Sequence, residues 1–203
     1  LMPYYSVSGS NYSRIIYDKI YDRLAYVQPD GTCLPRAAEK WESTEDGHAI
    51  VFTLNQKAAF HDGTPVTAQH WVETFQLITD PSCEILGKTA LSCLTGTDDT
   101  GAAVAGETLG VEAVDDYTLK LSFKQPTIPE EFLVDKNRDI YVLPTYLLKD
   151  IPADQVVESD FWRKPIGSGP CQFVSEVSGS NLVLEANKDY QLGAPGFDTL
   201  TIT

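Results

Sequence analysis

The residues that could do covalent or metal chemistry in this chain are poorly spaced for it. His48, His61 and His70 show no metal-ligand spacing. Asp62 could offer a carboxylate for acid–base or metal work, but it precedes Gly63, and aspartate in such a tight turn ordinarily bonds its own backbone. There is no His-Glu-x-x-His helix, no Gly-x-Ser-x-Gly elbow and no phosphate-cradling glycine loop. Gly167-Ser168-Gly169 runs into Pro170 and a strand, not into a helix N-terminus. Asp98-Asp99 and Glu130-Glu131 read as solvated surface charge. A hydrolase would need a nucleophile and base that this pattern does not supply, so the chain reads as non-catalytic and calls for no cofactor.

The four cysteines, Cys33, Cys83, Cys93 and Cys171, are an even number without Cys-x-x-Cys spacing, which argues against a zinc ribbon or a thioredoxin-like site. Cys83 and Cys93 are close in sequence and could form a disulfide or stand as two buried thiols. Cys33 with Cys171 is the other pair, and Cys171 also reads as a small core residue.

Composition narrows the partners. With 203 residues, 42% hydrophobic and 22% charged, the chain can bury one good core or two modest ones. Fifteen basic residues against twenty-nine acidic give 15 − 29 = −14, a charge that repels phosphate and argues against nucleic acid as a partner. The apolar run from Ile140 through Leu148 is too short and interrupted to cross a bilayer. The first residues, Leu1-Met2-Pro3-Tyr4-Tyr5, lack the basic and apolar regions of a secretion signal.

The elements that must position these residues are clearest between Ala37 and Phe75. Ala37 to Trp41 reads as the end of a helix, followed by an acidic turn at Glu45-Asp46-Gly47. A strand follows in which Ile50, Phe52 and Leu54 alternate with Val51 and Thr53. A second turn covers His61 to Pro65. Thr67 then sits as an N-cap ahead of Ala68, Trp71, Val72, Phe75 and Ile78, which recur at helical spacing. Elsewhere, Ile15, Ile16, Lys19, Ile20 and Leu24 predict an early helix, and Thr145 to Lys149 a short one after Pro144. Tyr117, Leu119, Leu121 and Phe123 alternate after Asp115-Asp116. Cys171, Phe173 and Val177 lead through a Ser178–Asn181 turn to Leu182, Leu184 and Ala186, which predicts a hairpin.

These motifs, taken in order, resemble the peptide-binding proteins of ABC importers, the oligopeptide and dipeptide branch of solute-binding family 5. The resemblance rests on Ala38-Glu39-Lys40-Trp41-Glu42, Asp46-Gly47, Val51-Phe52-Thr53-Leu54 and Phe60 to Ala68, FHDGTPVTA. It continues through Leu109 to Leu119, Pro165-Ile166-Gly167-Ser168-Gly169-Pro170 and Leu182 to Tyr190. His70 stands where the family usually has an acid and Asn55 where it has a base, and Leu91 to Gly106 has no counterpart.

The resemblance implies a mixed α/β (α+β) fold, one lobe of a class II periplasmic-binding-protein-like architecture. Residues 1–40 and 165–203 would form the first lobe and 41–164 an inserted subdomain. Phe197 to Thr203 reads as an alternating strand leading toward a second lobe beyond this chain. Function would be capture of an oligopeptide between lobes and its delivery to a membrane ABC permease. The protein would be a monomer in the periplasm or lipid-anchored at the cell surface. The alternative is the same fold holding a nickel complex, haem or an oligosaccharide. Tyr5, Ser6, Val7 and Ser8 occupy the position of the family's peptide-contacting segment, although they also read as a surface loop rich in turn formers. Leu86, within Glu84 to Gly87, falls in the part of the subdomain that approaches the ligand.

Overall fold

The chain is seen in a computed structural model that describes residues 1–3, 11–85, 87–136, 140–177 and 180–203. It opens with helix α1 (Asn11–Ile20), which buries Ile20 and leaves Ile15 exposed. Leu24, expected on that helix, lies beyond its end and is nevertheless buried in the core. Strands β1 (Ala25–Val27) and β2 (Cys33–Pro35) then form a two-stranded antiparallel ribbon. Their connection carries Gly31 at φ 86°, a backbone region that side-chain-bearing residues avoid.

Strand β3 (Ala38–Ser43) corrects the helical expectation for Ala37 to Trp41. Alanine, glutamate and lysine favour a helix locally, but Trp41 pairs with Phe52 and Glu42 with Val51 across to β4 (Ala49–Leu54). The ladder outweighs a propensity of a few tenths of a kcal/mol per residue. Strand β4 is the centre of the sheet, and its alternation is used as expected: Ile50, Phe52 and Leu54 are buried and Val51 and Thr53 less so.

Helix α2 (Ala68–Thr79) follows, burying Trp71, Val72, Phe75 and Ile78 on one face. Strands β5 (Val111–Asp115) and β6 (Thr118–Ser122) form the predicted hairpin and complete an antiparallel sheet in the order β3-β4-β6-β5. Helix α2 packs on β5 and β6. The stretch without a family counterpart meets the end of β6 through an isolated bridge, Leu94 to Phe123, and closes on itself through another, Thr97 to Ala103.

A short α3 (Pro129–Glu131) runs into a π-turn at Phe132–Lys136, and α4 (Thr145–Leu148) starts after Pro144 as expected. The last elements are β7 (Cys171–Val177), β8 (Asn181–Ala186) and β9 (Thr199–Ile202), an antiparallel meander in that order. Phe173 pairs with Leu184, which pairs in turn with Leu200, so these three share one face. A single hydrophobic cluster runs from Met2 and Ile20 through Phe52, Trp71 and Phe132 to Cys171 and Leu184.

No disulfide joins Cys83 to Cys93, since all four cysteines are thiols. Cys83 is buried in the core after α2, and the Cys93 thiol is directed to the Ala90 carbonyl three residues back, at 3.5 Å. Burial pushes the Cys83 thiol pKa up, which keeps it protonated and unreactive.

Candidate functional site

Tyr5, Ser6, Val7, Ser8 and Leu86, the residues expected to contact a ligand, lie outside the described residues. Their flanks are described. Met2 and Pro3 are buried, and the Tyr21 hydroxyl donates to the Leu1 carbonyl at 2.9 Å. This seats residues 1–3 against the end of α1. On the other side, Ile85 packs on the core and Gly87 adopts φ 81°. Lys88 Nζ donates to the Asp80 carbonyl at 2.6 Å and the Cys83 carbonyl at 2.7 Å.

Two features connect the region around α1 and β7–β9 to the rest. The first joins the two most recognisable sequence motifs. His61 N–H donates to the Gly167 carbonyl at 2.8 Å, Gly167 N–H donates to His61 Nδ1 at 3.2 Å, and Nε2 lies 3.0 Å from the Gly169 carbonyl. Because Nδ1 accepts, Nε2 carries the proton and donates to Gly169. The same loop lies against α1: Gly169 N–H bonds the Ile20 carbonyl at 2.9 Å, and a Cβ on Gly167 would fall 2.0 Å from that oxygen. Only glycine fits there. Desolvation drives His61 down to about 4, with the Gly169 carbonyl and Asp62 opposing, so the ring is neutral at ordinary pH.

Asp62 itself behaves as the turn residue expected from Asp-Gly. Its Oδ1 accepts from Thr64 N–H at 3.0 Å, and its Oδ2 accepts from the Tyr146 hydroxyl of α4 at 2.7 Å. At Thr67, the backbone N–H donates to His70 Nδ1 at 3.1 Å. His70, where the family usually has an acid, thus supplies the acceptor that a capping box takes from a carboxylate or amide.

The second feature is a buried polar centre that the spacing of the sequence does not announce. Asp22 and Arg36 are nearly inaccessible, and Arg36 Nε sits 2.5 Å from Asp22 Oδ1. The other carboxylate oxygen accepts from the Tyr190 hydroxyl at 3.1 Å and Gln191 Nε2 at 2.5 Å. Arg36 Nε also lies 3.2 Å from the Tyr190 hydroxyl. Burial pushes the Asp22 carboxyl up, while Arg36, Gln191 and Tyr190 pull it back. Burial likewise works against the Arg36 charge, but Asp22 and Tyr190 hold its pKa above the ordinary guanidinium value. Close by, Asp18 of α1 accepts from Arg23 at 2.9 Å and from the Tyr141 hydroxyl at 2.8 Å. The one visible signal was the charge of Asp22-Arg23 and Arg36 set among apolar neighbours. Tyr190 and Gln191 lie far along the chain and carried none.

These arrangements are structural: the polar groups of His61, Asp62, Asp22 and Arg36 are spent on other parts of the chain, although the buried Ser168 hydroxyl of the same loop as Gly167 has no hydrogen-bond partner among the described residues. No group of three or more metal-ligating side chains occurs among the described residues, and no described helix is long and apolar enough to cross a membrane.

What the fold belongs to follows from comparison with known proteins. Residues 32–203 match the model of the bacterial extracellular solute-binding proteins, family 5, and the chain belongs to that family. The periplasmic murein peptide-binding protein MppA of Escherichia coli is 30% identical over 179 residues, 84% of this chain and 31% of that protein. The periplasmic oligopeptide-binding protein OppA of Salmonella typhimurium is 28% identical over 190 residues, 91% of this chain and 33% of its own length. Among solved structures, the oligopeptide-binding protein AppA of Bacillus subtilis, in complex with a nonapeptide, shares the fold at TM-score 0.82 and 24% identity. That match covers 99% of this chain and 36% of AppA. The chain spans about a third of the length of these relatives.

Proposed function

We propose that the protein is the extracytoplasmic binding component of an ABC importer, capturing oligopeptides without catalysis and handing them to a membrane permease as a monomer. The observation that carries this reading is the family match over residues 32–203, together with relatives named for peptide binding. Residues 1–40 and 165–203 serve as parts of the first lobe, and residues 41–164 as the inserted subdomain. Strand β3 (Ala38–Ser43) straddles their boundary, which ties the subdomain to the lobe by continuous backbone.

In this reading Tyr5 to Ser8 and Leu86 meet the peptide. An extended segment can pair its backbone with that of a peptide whatever the side chains, and hydrated pockets accept varied residues, each bridging water costing about 0 to 2 kcal/mol. Low sequence selectivity follows. The protein resides in the periplasm or is held at the cell surface by lipid.

Isothermal titration of the full-length protein against a mixed peptide library and a nickel–histidine complex tests the reading. Peptide binding supports it. Binding of the nickel complex alone would replace it with a metal-uptake role on the same fold.

A further inference from the structure

We propose that the segment from His61 to His70 is an acid-sensitive joint. Two neutral imidazoles each accept a backbone N–H through Nδ1, and proton uptake ends both bonds, which loosens the Gly167–Gly169 loop. At the start of α2 it releases Thr67 N–H and leaves His70 Nδ1 only the Thr67 hydroxyl, 3.0 Å away, to donate to.

The geometry carries the inference. His61 Nδ1 accepts from Gly167 N–H at 3.2 Å, and His70 Nδ1 accepts from Thr67 N–H at 3.1 Å. An imidazolium has no acceptor, so neither bond survives protonation. Tyr146 links the two sites. His70 packs edge-on against Phe60 and Tyr146 at 5.2 and 5.6 Å between centroids, and Tyr146 is bonded to Asp62, the neighbour of His61.

The surrounding charges leave the neutral forms favoured. Asp62 is the one carboxylate that pulls on His61, and its oxygens are occupied by Tyr146 and Thr64. The loop opposite, Gly167 to Gly169, bears no charge, and the end of α1 brings Lys19, whose ammonium acts on Cys171. His70 feels Glu73 one turn on, whose carboxylate is held by Thr145 and Gln69. The Asp116 carbonyl accepts from Ala68 N–H at the same helix end. Desolvation lowers both imidazoles, His61 to about 4.

The sign follows from linkage. A histidine whose folded pKa lies below its unfolded value of 6.5 contributes stability that is whole above that value. The contribution is lost as pH falls toward about 4. At a factor of ten per pKa unit, His61 alone changes the folding equilibrium by on the order of 10²-fold across that window.

Residue-resolved amide hydrogen exchange of the full-length protein between pH 7 and pH 4.5, corrected for the intrinsic pH dependence of exchange, tests the joint. Protection at Gly167 and Thr67 should fall at least tenfold relative to amides of strand β4. His61→Gln and His70→Gln retain an acceptor that does not titrate, so each should abolish the response at its own amide alone. Unchanged protection down to pH 4.5, or a response that persists in both glutamine variants, would overturn the proposal. Should a variant fail to fold, imidazole nitrogen shifts of the unmodified protein decide instead. A proton on Nε2 of both rings at pH 7 supports the joint, and a proton on Nδ1 of either removes it.

Discussion

Around the β3-β4-β6-β5 sheet the interior is closed by side chains with little need of polar partners. Phe52, Leu119, Leu121, Trp71 and Phe75 are all fully buried there. Where α1 meets β2 and the segment after β8, the interior instead holds Asp22, Arg36 and Tyr190, whose charges and hydroxyl must satisfy one another. The apolar region gains from area removed from water and tolerates small errors in shape, whereas the polar one depends on every partner being present. That difference makes the second region the more brittle, although it has less apolar surface to lose.

Asp22→Ala and Phe52→Ala should give the two largest effects, one in each region. The first leaves Arg36 buried and unpaired, at a cost of about 3–5 kcal/mol, and urea unfolding should show a correspondingly lower midpoint. Replacing both partners by apolar residues of similar volume, Asp22→Leu with Arg36→Met, should recover most of that loss. A double variant as unstable as the single one would mean that the pair itself, and not the orphaned charge, supplies the stability. Phe52→Ala is the matching test in the apolar region, with an expected loss of about 3–5 kcal/mol from transfer and cavity. Here no second substitution nearby should rescue it by removing a charge, and that contrast in rescue separates the two regions.

Gly167→Ala probes the seam between the regions. With a Cβ placed 2.0 Å from the Ile20 carbonyl, the loop or α1 must shift, costing about 1–3 kcal/mol. Exchange protection should fall at Gly169, whose N–H bonds that same carbonyl, before it falls in β4. Thr67→Ala should cost about 1 kcal/mol through the N-cap of α2, with faster amide exchange confined to the first turn of that helix. The smallest effect belongs to Val174→Ser on the exposed side of β7. It should stay within about 0.5 kcal/mol in thermal or urea unfolding, and a larger loss would reveal a covered face.

Legibility followed the same division. Strand β4, the cap and apolar face of α2, the β5–β6 and β7–β8 hairpins and the Asp62 turn could all be read from local pattern, because a period of 2 or 3.6 and turn chemistry act within a few residues. The family motifs were legible as well. Ala37 to Trp41 was misleading because its composition suits a helix, while the ladder that makes β3 pairs Trp41 with Phe52 and Glu42 with Val51, across an intervening turn. Cys83 and Cys93 were ambiguous because sequence proximity does not set the direction of a thiol. Nothing in the spacing linked His61 to Gly167, or Asp22 to Tyr190 and Gln191.

The amino-acid sequence alone determined the family, the covered faces of its main strands and helix, and the absence of spacing suited to metal or acyl-transfer chemistry. These depend on residue type and near-neighbour order. The tertiary structure decided which polar groups satisfy one another. It placed His61 against the Gly167–Gly169 loop and closed Asp22 with Tyr190 and Gln191. The reason is physical: a buried hydrogen bond depends on distance and direction in space, and residues more than a hundred positions apart acquire these only when the chain has folded.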